Sequence, residues 1–248
     1  MHDHAIQCVH DPLLVALSYL VSVLGSFTAL QLAVSIPAAR GSGQRLQSVL
    51  GSAAALGVGG IWAMHFIAML ACKMDMAVTY DLPLTVLSAI IGLAAVAIGL
   101  AIVGTGQFNM GKLVLAGILT GLGVSGMHYT GMAAMRMPAE IQYDGTLVIA
   151  SVAIAIVASC VALWLAFNLR GWVQMLGSAL VMGIAVCGMH YTGMAAARFL
   201  PVDAGSATNG TLGGAWLGMG IFAVATVLLS ITLVTTMLRR QQRADIAI

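Results

Sequence analysis

The amino-acid sequence predicts an all-α membrane protein with seven transmembrane helices, arranged as three tandem two-helix repeats plus one extra helix. Three observations lead to this fold class: the composition, a set of long windows without charges, and a motif that recurs three times. Of the 248 residues, 60% are hydrophobic and only 7% are charged, whereas a soluble domain has about 25% charged residues. This composition excludes an ordinary soluble enzyme and a disordered chain. The net charge of +2 gives no reason to expect a nucleic-acid partner.

Seven windows contain no Asp, Glu, Lys or Arg, and they define the predicted helices. Each window is long enough, because a helix crosses the roughly 30 Å hydrocarbon core with about 20 residues. The windows cover residues 13–36, 46–72, 82–111, 113–135, 145–169, 171–197 and 204–238. Proline is disfavoured inside a helix, and all five prolines fall near window edges: Pro12, Pro37, Pro83, Pro138 and Pro201.

The basic residues predict the orientation, because short loops rich in Lys and Arg stay in the cytoplasm. Seven basic residues fall on one side of the predicted helices: Arg40, Arg45, Lys112, Arg170, Arg239, Arg240 and Arg243. The other three, Lys73, Arg136 and Arg198, fall on the opposite side. We therefore expect the N-terminus outside and the C-terminus in the cytoplasm. Residues 1–240 form the predicted membrane domain, and residues 239–248 a short cytoplasmic tail.

The predicted helices repeat in pairs. The second, fourth and sixth end in the related segments WAMHFIAMLACK, SGMHYTGMAAMR and CGMHYTGMAAAR. The first, third and fifth begin with an Asp that is followed seven positions later by a Ser: Asp11 and Ser18, Asp81 and Ser88, Asp144 and Ser151. We expect these residues to act as helix caps and interhelical hydrogen-bonding groups. The repeat is a two-helix hairpin over about residues 10–73, 80–136 and 143–198, and the extra helix covers about residues 212–238.

Three histidines, His65, His128 and His190, occupy equivalent positions in the repeats. Because each repeat crosses the membrane twice, equivalent residues lie at one depth, which for the histidines is the outer half of the membrane. An ionisable side chain inside a membrane helix is costly, so three at one depth predict a functional site. Methionines stand one residue before and four residues after each histidine. The candidate metal ligands are therefore His65, His128, His190, Met64, Met127, Met189, Met69, Met132 and Met194.

The predicted donor set favours a soft metal ion. Thioether ligands select Cu(I), and neutral ligands in a low-dielectric environment favour an ion of low charge. Zinc accepts histidine but gains little from methionine, so it is the less favoured ion. The four cysteines show no paired framework, with two at the outer surface and two in predicted spans. Weaker candidate ligands are Cys187 and, in the N-terminal segment, His2, His4, Cys8 and His10.

The segments MHYTGMAAM and MHYTGMAAA, with MHFIAML before them, resemble the MHYT domain, a bacterial integral-membrane sensor domain. The opening HDPLLVALSYLVSVLGSFTALQLA is also similar to the start of that family. The resemblance implies a protein of the bacterial inner membrane that senses O₂, CO or NO, and often controls cyclic-di-GMP turnover or a kinase. It implies copper ligands at Met64, His65, Met127, His128, Met189 and His190. The first copy departs from the motif at Phe66 and Ile67, which leaves its Met and His intact.

We therefore expect a sensory membrane domain that is not an enzyme. Its expected partners are the lipid bilayer, a diatomic gas and a cytoplasmic effector protein. About ten residues follow the last predicted helix, so we expect no GGDEF, EAL or kinase domain, and the chain is a stand-alone sensor, a partner subunit or an excised domain.

Three alternatives remain open. An intramembrane zinc hydrolase is disfavoured because catalysis needs different residues in its acid, base and nucleophile roles. A metal or proton transporter is disfavoured because the inner halves of the helices offer almost no charged relay. Haem held by two of the histidines is the third alternative.

Overall fold

The computed structural model describes residues 6–169, 171–202 and 212–246. It confirms an all-α protein with seven helical segments across the part of the chain that it describes. Six of them are long and apolar enough to cross a membrane: Pro12–Ala38, Ser42–Ala71, Leu82–Gly104, Met110–Ala133, Gly145–Asn168 and Trp172–Ala196. The seventh begins at Gly214 and is apolar through Leu228. His2, His4 and Arg170, which entered the sequence predictions, lie outside the described residues.

The first two spans consist of shorter pieces, and the remaining helices are continuous. The helices in chain order are α1 (Pro12–Ala33), α2 (Ser35–Ala38), α3 (Ser42–Ala53), α4 (Ala63–Ala71), α5 (Leu82–Gly104), α6 (Met110–Ala133), α7 (Gly145–Asn168), α8 (Trp172–Ala196) and α9 (Gly214–Ile246). A π-helical segment, Ala54–Trp62, joins α3 to α4.

The six long spans form a closed ring. Each span packs on the next in chain order, and the ring closes where α8 contacts α1. Helix α9 packs against α1, the π-helical segment and α4. The even-numbered spans, which carry the histidine motif, therefore alternate around the ring with the spans that begin with Asp. This arrangement agrees with three equivalent hairpins around one axis.

The predicted helix caps are confirmed. The Asp11 side chain accepts hydrogen bonds from the backbone N–H groups of Leu13 and Leu14. Asp81 and Asp144 make the equivalent bonds at the starts of α5 and α7. Each carboxylate thereby satisfies N–H groups that the first helical turn leaves without a partner.

Short antiparallel strands, which the sequence did not predict, join the beginning of the first helix of each hairpin to the end of its second helix. Strands β1 (Val9–His10) and β2 (Cys72–Lys73) pair in the first repeat, β3 (Thr79–Tyr80) and β4 (Met135–Arg136) in the second, and β5 (Ala139–Tyr143) and β6 (Ala197–Pro201) in the third. Strand β7 (Leu212–Gly213) pairs with β3. The three cations that follow the histidine motifs all lie in these strands.

The same backbone hydrogen bond closes every hairpin. The N–H of Asp11 donates to the carbonyl oxygen of Ala71, and the corresponding bonds in the other repeats join Asp81 to Ala134 and Asp144 to Ala196. We call this bond, together with its strand pair, the clasp of the hairpin. Each clasp fixes the start of one helix against the end of its partner, just above the histidine motif.

The expectation that the cysteines have no paired framework is wrong. Cys8 and Cys72 form a disulfide that links the segment before α1 to the end of α4. Their partnership depends on the β1–β2 pairing, which places positions 64 apart in sequence side by side. Cys160 and Cys187 are free.

The π-helical segment distinguishes the first repeat from the other two. Its backbone lies very close to α1, because a Cβ at Gly25 would overlap the backbone of Gly60. The corresponding spans α6 and α8 have no such segment. π-Helical turns are rare and often occur near functional sites, and this one ends directly before the turn of α4 that carries His65.

Candidate metal centre

Three buried histidines from three helices meet inside the ring. His65 lies on α4, His128 on α6 and His190 on α8, with exposed fractions of 1%, 0% and 0%. The Nδ1 atom of His65 lies 3.0 Å from Nδ1 of His190 and 3.1 Å from Nδ1 of His128. The three rings stand edge to face, with centroids 4.9, 5.0 and 5.1 Å apart. The structure thus brings together the three histidines that the repeats predict at one depth.

Two glycines make room for the imidazole rings. A Cβ at Gly131, on α6, would overlap the Nε2 edge of His65. A Cβ at Gly193, on α8, would overlap the same edge of His128. Each glycine is the third residue after the histidine of its own helix, and Ala68 holds that position in the first repeat. A histidine ring of one repeat therefore packs directly against the backbone of the next.

The Nε2 atoms of His65, His128 and His190 are buried and have no hydrogen-bond partner in the structure. A neutral imidazole carries one N–H and one acceptor nitrogen, so three converging Nδ1 atoms cannot all find partners among themselves. A metal ion bound at about 2.0–2.1 Å holds its nitrogen ligands about 2.9–3.6 Å apart. The measured separations of 3.0 and 3.1 Å fall in that range. The donor set therefore fits one metal ion held through Nδ1.

The six candidate methionines are all buried, and two of them line cavities on opposite sides of the histidines. Met189 lines an apolar cavity of about 50 Å³ on the side of the histidines that faces away from the strands. Met69 lines a cavity of about 140 Å³ at the end of the bundle where the strands lie. The buried set is Met64, Met69, Met127, Met132, Met189 and Met194.

The buried serines of the odd-numbered spans connect neighbouring repeats. The Tyr129 hydroxyl of the second motif lies 2.7 Å from Ser151 Oγ on α7. In the first repeat, Phe66 replaces that tyrosine and has no hydroxyl. Trp62, one turn earlier, donates from Nε1 to Ser88 Oγ on α5 at 3.0 Å. Trp62 thus restores the contact between repeats, a role that the sequence alone did not reveal.

Two weaker candidate ligands, Cys187 and His10, are not part of the histidine cluster. Among the described residues, the cluster of His, Cys, Asp and Glu side chains that could hold an ion consists of the three histidines alone. Cys187 is free and partly buried. His10 is exposed, and its ring contacts that of Tyr191 at a centroid distance of 5.6 Å.

The sequence matches a family model three times. The model is described as MHYT, the bacterial signalling protein N-terminal repeat, and it matches residues 59–116, 121–179 and 183–247. Each match begins near a histidine-bearing motif, whereas each predicted hairpin begins one helix earlier. The family repeat and the predicted hairpin therefore have about the same length but start at different helices.

Three relatives are signalling proteins. The chain is 40% identical over 235 residues to the bifunctional diguanylate cyclase/cyclic di-GMP phosphodiesterase MucR of Pseudomonas aeruginosa, an alignment of 92% of this chain and 34% of MucR. It is 41% identical over 207 residues to the cyclic di-GMP phosphodiesterase NbdA of the same organism, with 81% of this chain and 26% of NbdA covered. The signaling protein YkoW of Bacillus subtilis is 30% identical over 201 residues, with 78% of this chain and 25% of YkoW covered. The chain thus spans between a quarter and about a third of these relatives. No solved structure matches the chain.

Proposed function

The chain belongs to the MHYT family, and from that membership we propose that it is a sensory membrane domain that binds copper through His65, His128 and His190. The single observation that carries the proposal is the convergence of three Nδ1 atoms at 3.0 and 3.1 Å inside a ring of apolar helices. Burial of these polar groups without partners is costly, and a bound ion removes that cost at the Nδ1 atoms.

Copper in the Cu(I) state suits the surroundings better than zinc. The three imidazoles are neutral ligands, and the site lies among buried methionines. A monovalent ion brings less charge into this low-dielectric region than a divalent one. Thioethers favour Cu(I) and add little for zinc. They are present in Met64, Met127 and Met189, the residues that directly precede the three histidines. We propose these and the later methionines of each motif, Met69, Met132 and Met194, as additional or exchanging ligands.

The proposed signal is a diatomic gas such as O₂, CO or NO. A bound Cu(I) ion would supply a centre at which such a molecule can coordinate. The three histidines would hold the ion through Nδ1, and the Nε2 edges of His65 and His128 pack against the backbone at Gly131 and Gly193. Because the carboxylates at the helix starts serve as caps, they are not arranged as acid and base at the histidines. This arrangement supports a sensory rather than a hydrolytic site.

We propose that the protein lies in the bacterial inner membrane with its N-terminus outside. The bias of basic residues supports this orientation. The Cys8–Cys72 disulfide at the end of the bundle that carries the clasps supports it independently, because disulfides persist in the bacterial periplasm and are rare in the cytosol.

The proposed output is a change in a cytoplasmic effector. MucR and NbdA, by their names, make or degrade cyclic di-GMP, and this chain aligns with only part of each. We propose that the inner end of α9 transmits the state of the histidine site to a cyclic-di-GMP enzyme domain, joined to the chain or bound to it. A gas bound to the ion can shift the protein between two conformations only if it binds one of them more tightly than the other.

The test replaces each histidine in the full chain, purified in detergent and loaded with Cu(I). The copper coordinated by imidazole nitrogen, counted per chain by X-ray absorption, should fall to near zero in His65→Ala, His128→Ala and His190→Ala, because a two-ligand remnant binds weakly. His10→Ala is the matched control, since His10 is exposed and outside the triad; its copper content should equal that of the unchanged chain. Carbon monoxide added to the loaded chain should give a copper-carbonyl infrared band that the three variants lack.

Two results would overturn the shared site. Loss of one-third of the nitrogen-coordinated copper in each variant would mean three separate sites, one per repeat. Unchanged nitrogen-coordinated copper in all three folded variants would leave the histidines as packing or proton-sharing groups. Bound zinc in place of copper, at one ion per chain, would preserve the triad and refute its assignment to copper.

A further inference from the structure

A second group of sulfur atoms lies at the outer end of the bundle. The cavity of about 140 Å³ at this end is lined by four methionines: Met69, Met74, Met76 and Met135. They come from three different places, namely the last turn of α4, the loop between β2 and β3, and strand β4. A backbone hydrogen bond from the N–H of Met76 to the carbonyl oxygen of Met74, at 2.7 Å, keeps the two loop methionines in a tight turn.

Met69 belongs to the repeated motif, whereas Met74 and Met76 do not recur in all three hairpins. Counted from the cation of each repeat, the position of Met74 is occupied by Met137 and Phe199, and that of Met76 by Ala139 and Pro201. Thioether at these places is therefore not a requirement of the hairpin architecture. It is concentrated at the junction between the first and second repeats.

From these observations we propose that the cavity lined by Met69, Met74, Met76 and Met135 is a second binding site, specific for Cu(I), from which the ion passes to the histidines. This proposal rests on the proposed function, because the triad is the destination of the ion. The transfer is an exchange of neutral ligands, in which thioether–copper bonds break as imidazole–copper bonds form. No electron or proton is transferred between the sites.

The chemistry of the cavity selects against harder ions. Thioether binds Cu(I) and is a poor ligand for Mg²⁺, Ca²⁺ and Zn²⁺, which need oxygen, nitrogen or thiolate. No carboxylate lines the cavity. Cys72 is held in the disulfide and offers no thiolate. Burial raises the pKa of Tyr80, so this phenol stays protonated and adds no negative charge.

Lys73 also lines the cavity, and its positive charge acts against any cation. The side chain is exposed, so its ammonium group can extend into water on a flexible stem. Its repulsion grows with the charge of the ion, which penalises divalent ions twice as much as Cu(I). The lysine therefore adds to the preference of the thioethers for Cu(I) over divalent ions.

Helix α4 connects the two sites. Met69 follows His65 by four residues in a continuous α-helix, so both side chains lie on one face, with a rise of about 6 Å between them. Met69 is buried and lines the cavity, whereas His65 stands at the centre of the triad. An ion that leaves the cavity past Met69 thus reaches the imidazoles within about one helical turn.

The experiment counts Ag(I), a redox-stable analogue of Cu(I), bound to the full chain in detergent. The test variant is Met74→Leu/Met76→Leu, which removes two sulfur atoms from partly exposed side chains of similar size. The matched control is Met110→Leu/Met219→Leu, the same change at two exposed methionines that do not line the cavity. We expect the test variant to bind one Ag(I) fewer per chain than the unchanged protein and the control. X-ray absorption at the silver edge should show a matching loss of sulfur neighbours.

The kinetics test the transfer. Cu(I) supplied from a chelator should load the histidines more slowly in the test variant than in the control, and reach the same final occupancy there. Equal Ag(I) counts, equal sulfur neighbours and equal loading rates in test and control variants would overturn the proposal. A separate comparison with His65→Ala distinguishes the two sites. A variant that loses only the ion in the cavity has a defect in the outer site. A variant that loses only the ion at the histidines has a defect in the triad.

Discussion

The imidazole rings of the triad depend on the absence of side chains beside them. Gly131 and Gly193 have no Cβ, and the rings of His65 and His128 occupy that space. The remaining ring faces the first repeat, where Ala68 stands at the equivalent position. The three histidines are therefore equivalent in sequence but not in their immediate packing, and the first repeat is the one that differs.

Substitution of Gly193 by Ala should disturb the triad, because the new methyl group overlaps the buried ring of His128. Overpacking of this kind costs about 1–3 kcal/mol, and we expect weaker Cu(I) binding and a lower unfolding temperature in detergent. Gly188→Ala, on the same helix with nothing within 4 Å of the added Cβ, is the control and should be stabilised by about 0.5–1 kcal/mol. Equal copper affinity in the two variants would show that the ring has room to move.

The residues of the candidate metal site could be predicted only where the same residue type recurs at the equivalent position of each repeat. Three equivalent histidines stand out because each repeat supplies one copy of an expensive intramembrane group. Trp62 does not stand out, since Ser125 and Cys187 stand at the equivalent positions of the other repeats and its bond to Ser88 depends on how the π-helical segment meets α5. Gly131 and Gly193 lie in the repeated motif, but each makes room for a histidine ring from another repeat, which spacing along the sequence cannot identify.

Helix α9 meets the ring at the π-helical segment. Leu228 is 4% exposed, and its side chain occupies the space that a Cβ at Gly59 would take. The segment Ala54–Trp62 thus contacts α9 on one side and leads directly into the turn that carries His65. Helix α4 itself also contacts α9, so the π-helical segment and the helix that carries His65 both pack against the last helix.

Substitution of Gly59 by Ala should loosen α9, because the added methyl group overlaps Leu228. We expect faster backbone hydrogen exchange in α9 with little change in copper content. Gly220→Ala, on α9 with nothing within 4 Å of the added Cβ, should leave exchange slow. If the two variants exchange alike, the Leu228 contact does not hold the helix.

The cap of α5 gives the fold an acid-sensitive contact. The backbone N–H of Leu84, and then the Arg136 guanidinium at 3.3 Å, hold the pKa of Asp81 below its usual value. A group with a lowered folded-state pKa contributes stability above its unfolded pKa, and that contribution is lost as the pH falls through the folded pKa. Unfolding temperatures should therefore drop below about pH 4. The drop should be smaller in Asp81→Asn, whose side chain does not titrate; an identical acid profile would assign the drop to other groups.

The helices could be predicted from sequence more fully than the strands or the π-helical segment. Charge-free windows and capping aspartates mark helices within a single stretch of chain, so local physics determines them. A two-residue strand such as Val9–His10 forms only because the neighbouring backbone hydrogen bond from Asp11 to Ala71 holds its partner strand opposite it. The π-helical segment likewise reflects close contact with α1, which no local pattern reports.

At the scale of the whole molecule, the ring and its orientation make one prediction. Cys8 and Cys72 should be periplasmic and oxidised, while the free Cys160 and Cys187 lie within the spans. In spheroplasts, a membrane-impermeant maleimide should label the protein only after reduction. A Cys8→Ser/Cys72→Ser variant, which keeps the free cysteines, should stay unlabelled. Labelling that requires permeabilised membranes would reverse the orientation.

The closure of the ring between α8 and α1 also has a consequence for biosynthesis. One hairpin carries a single imidazole, and two hairpins carry a pair too weak to retain an ion, so no nascent chain shorter than about three hairpins has the complete triad. The hairpin of α7 and α8 leaves the ribosome after the other two, and its docking onto the first places His190 beside His65. Under the proposed function, metal binding is thus a late event that follows membrane insertion, and a bound ion indicates that all three hairpins have assembled.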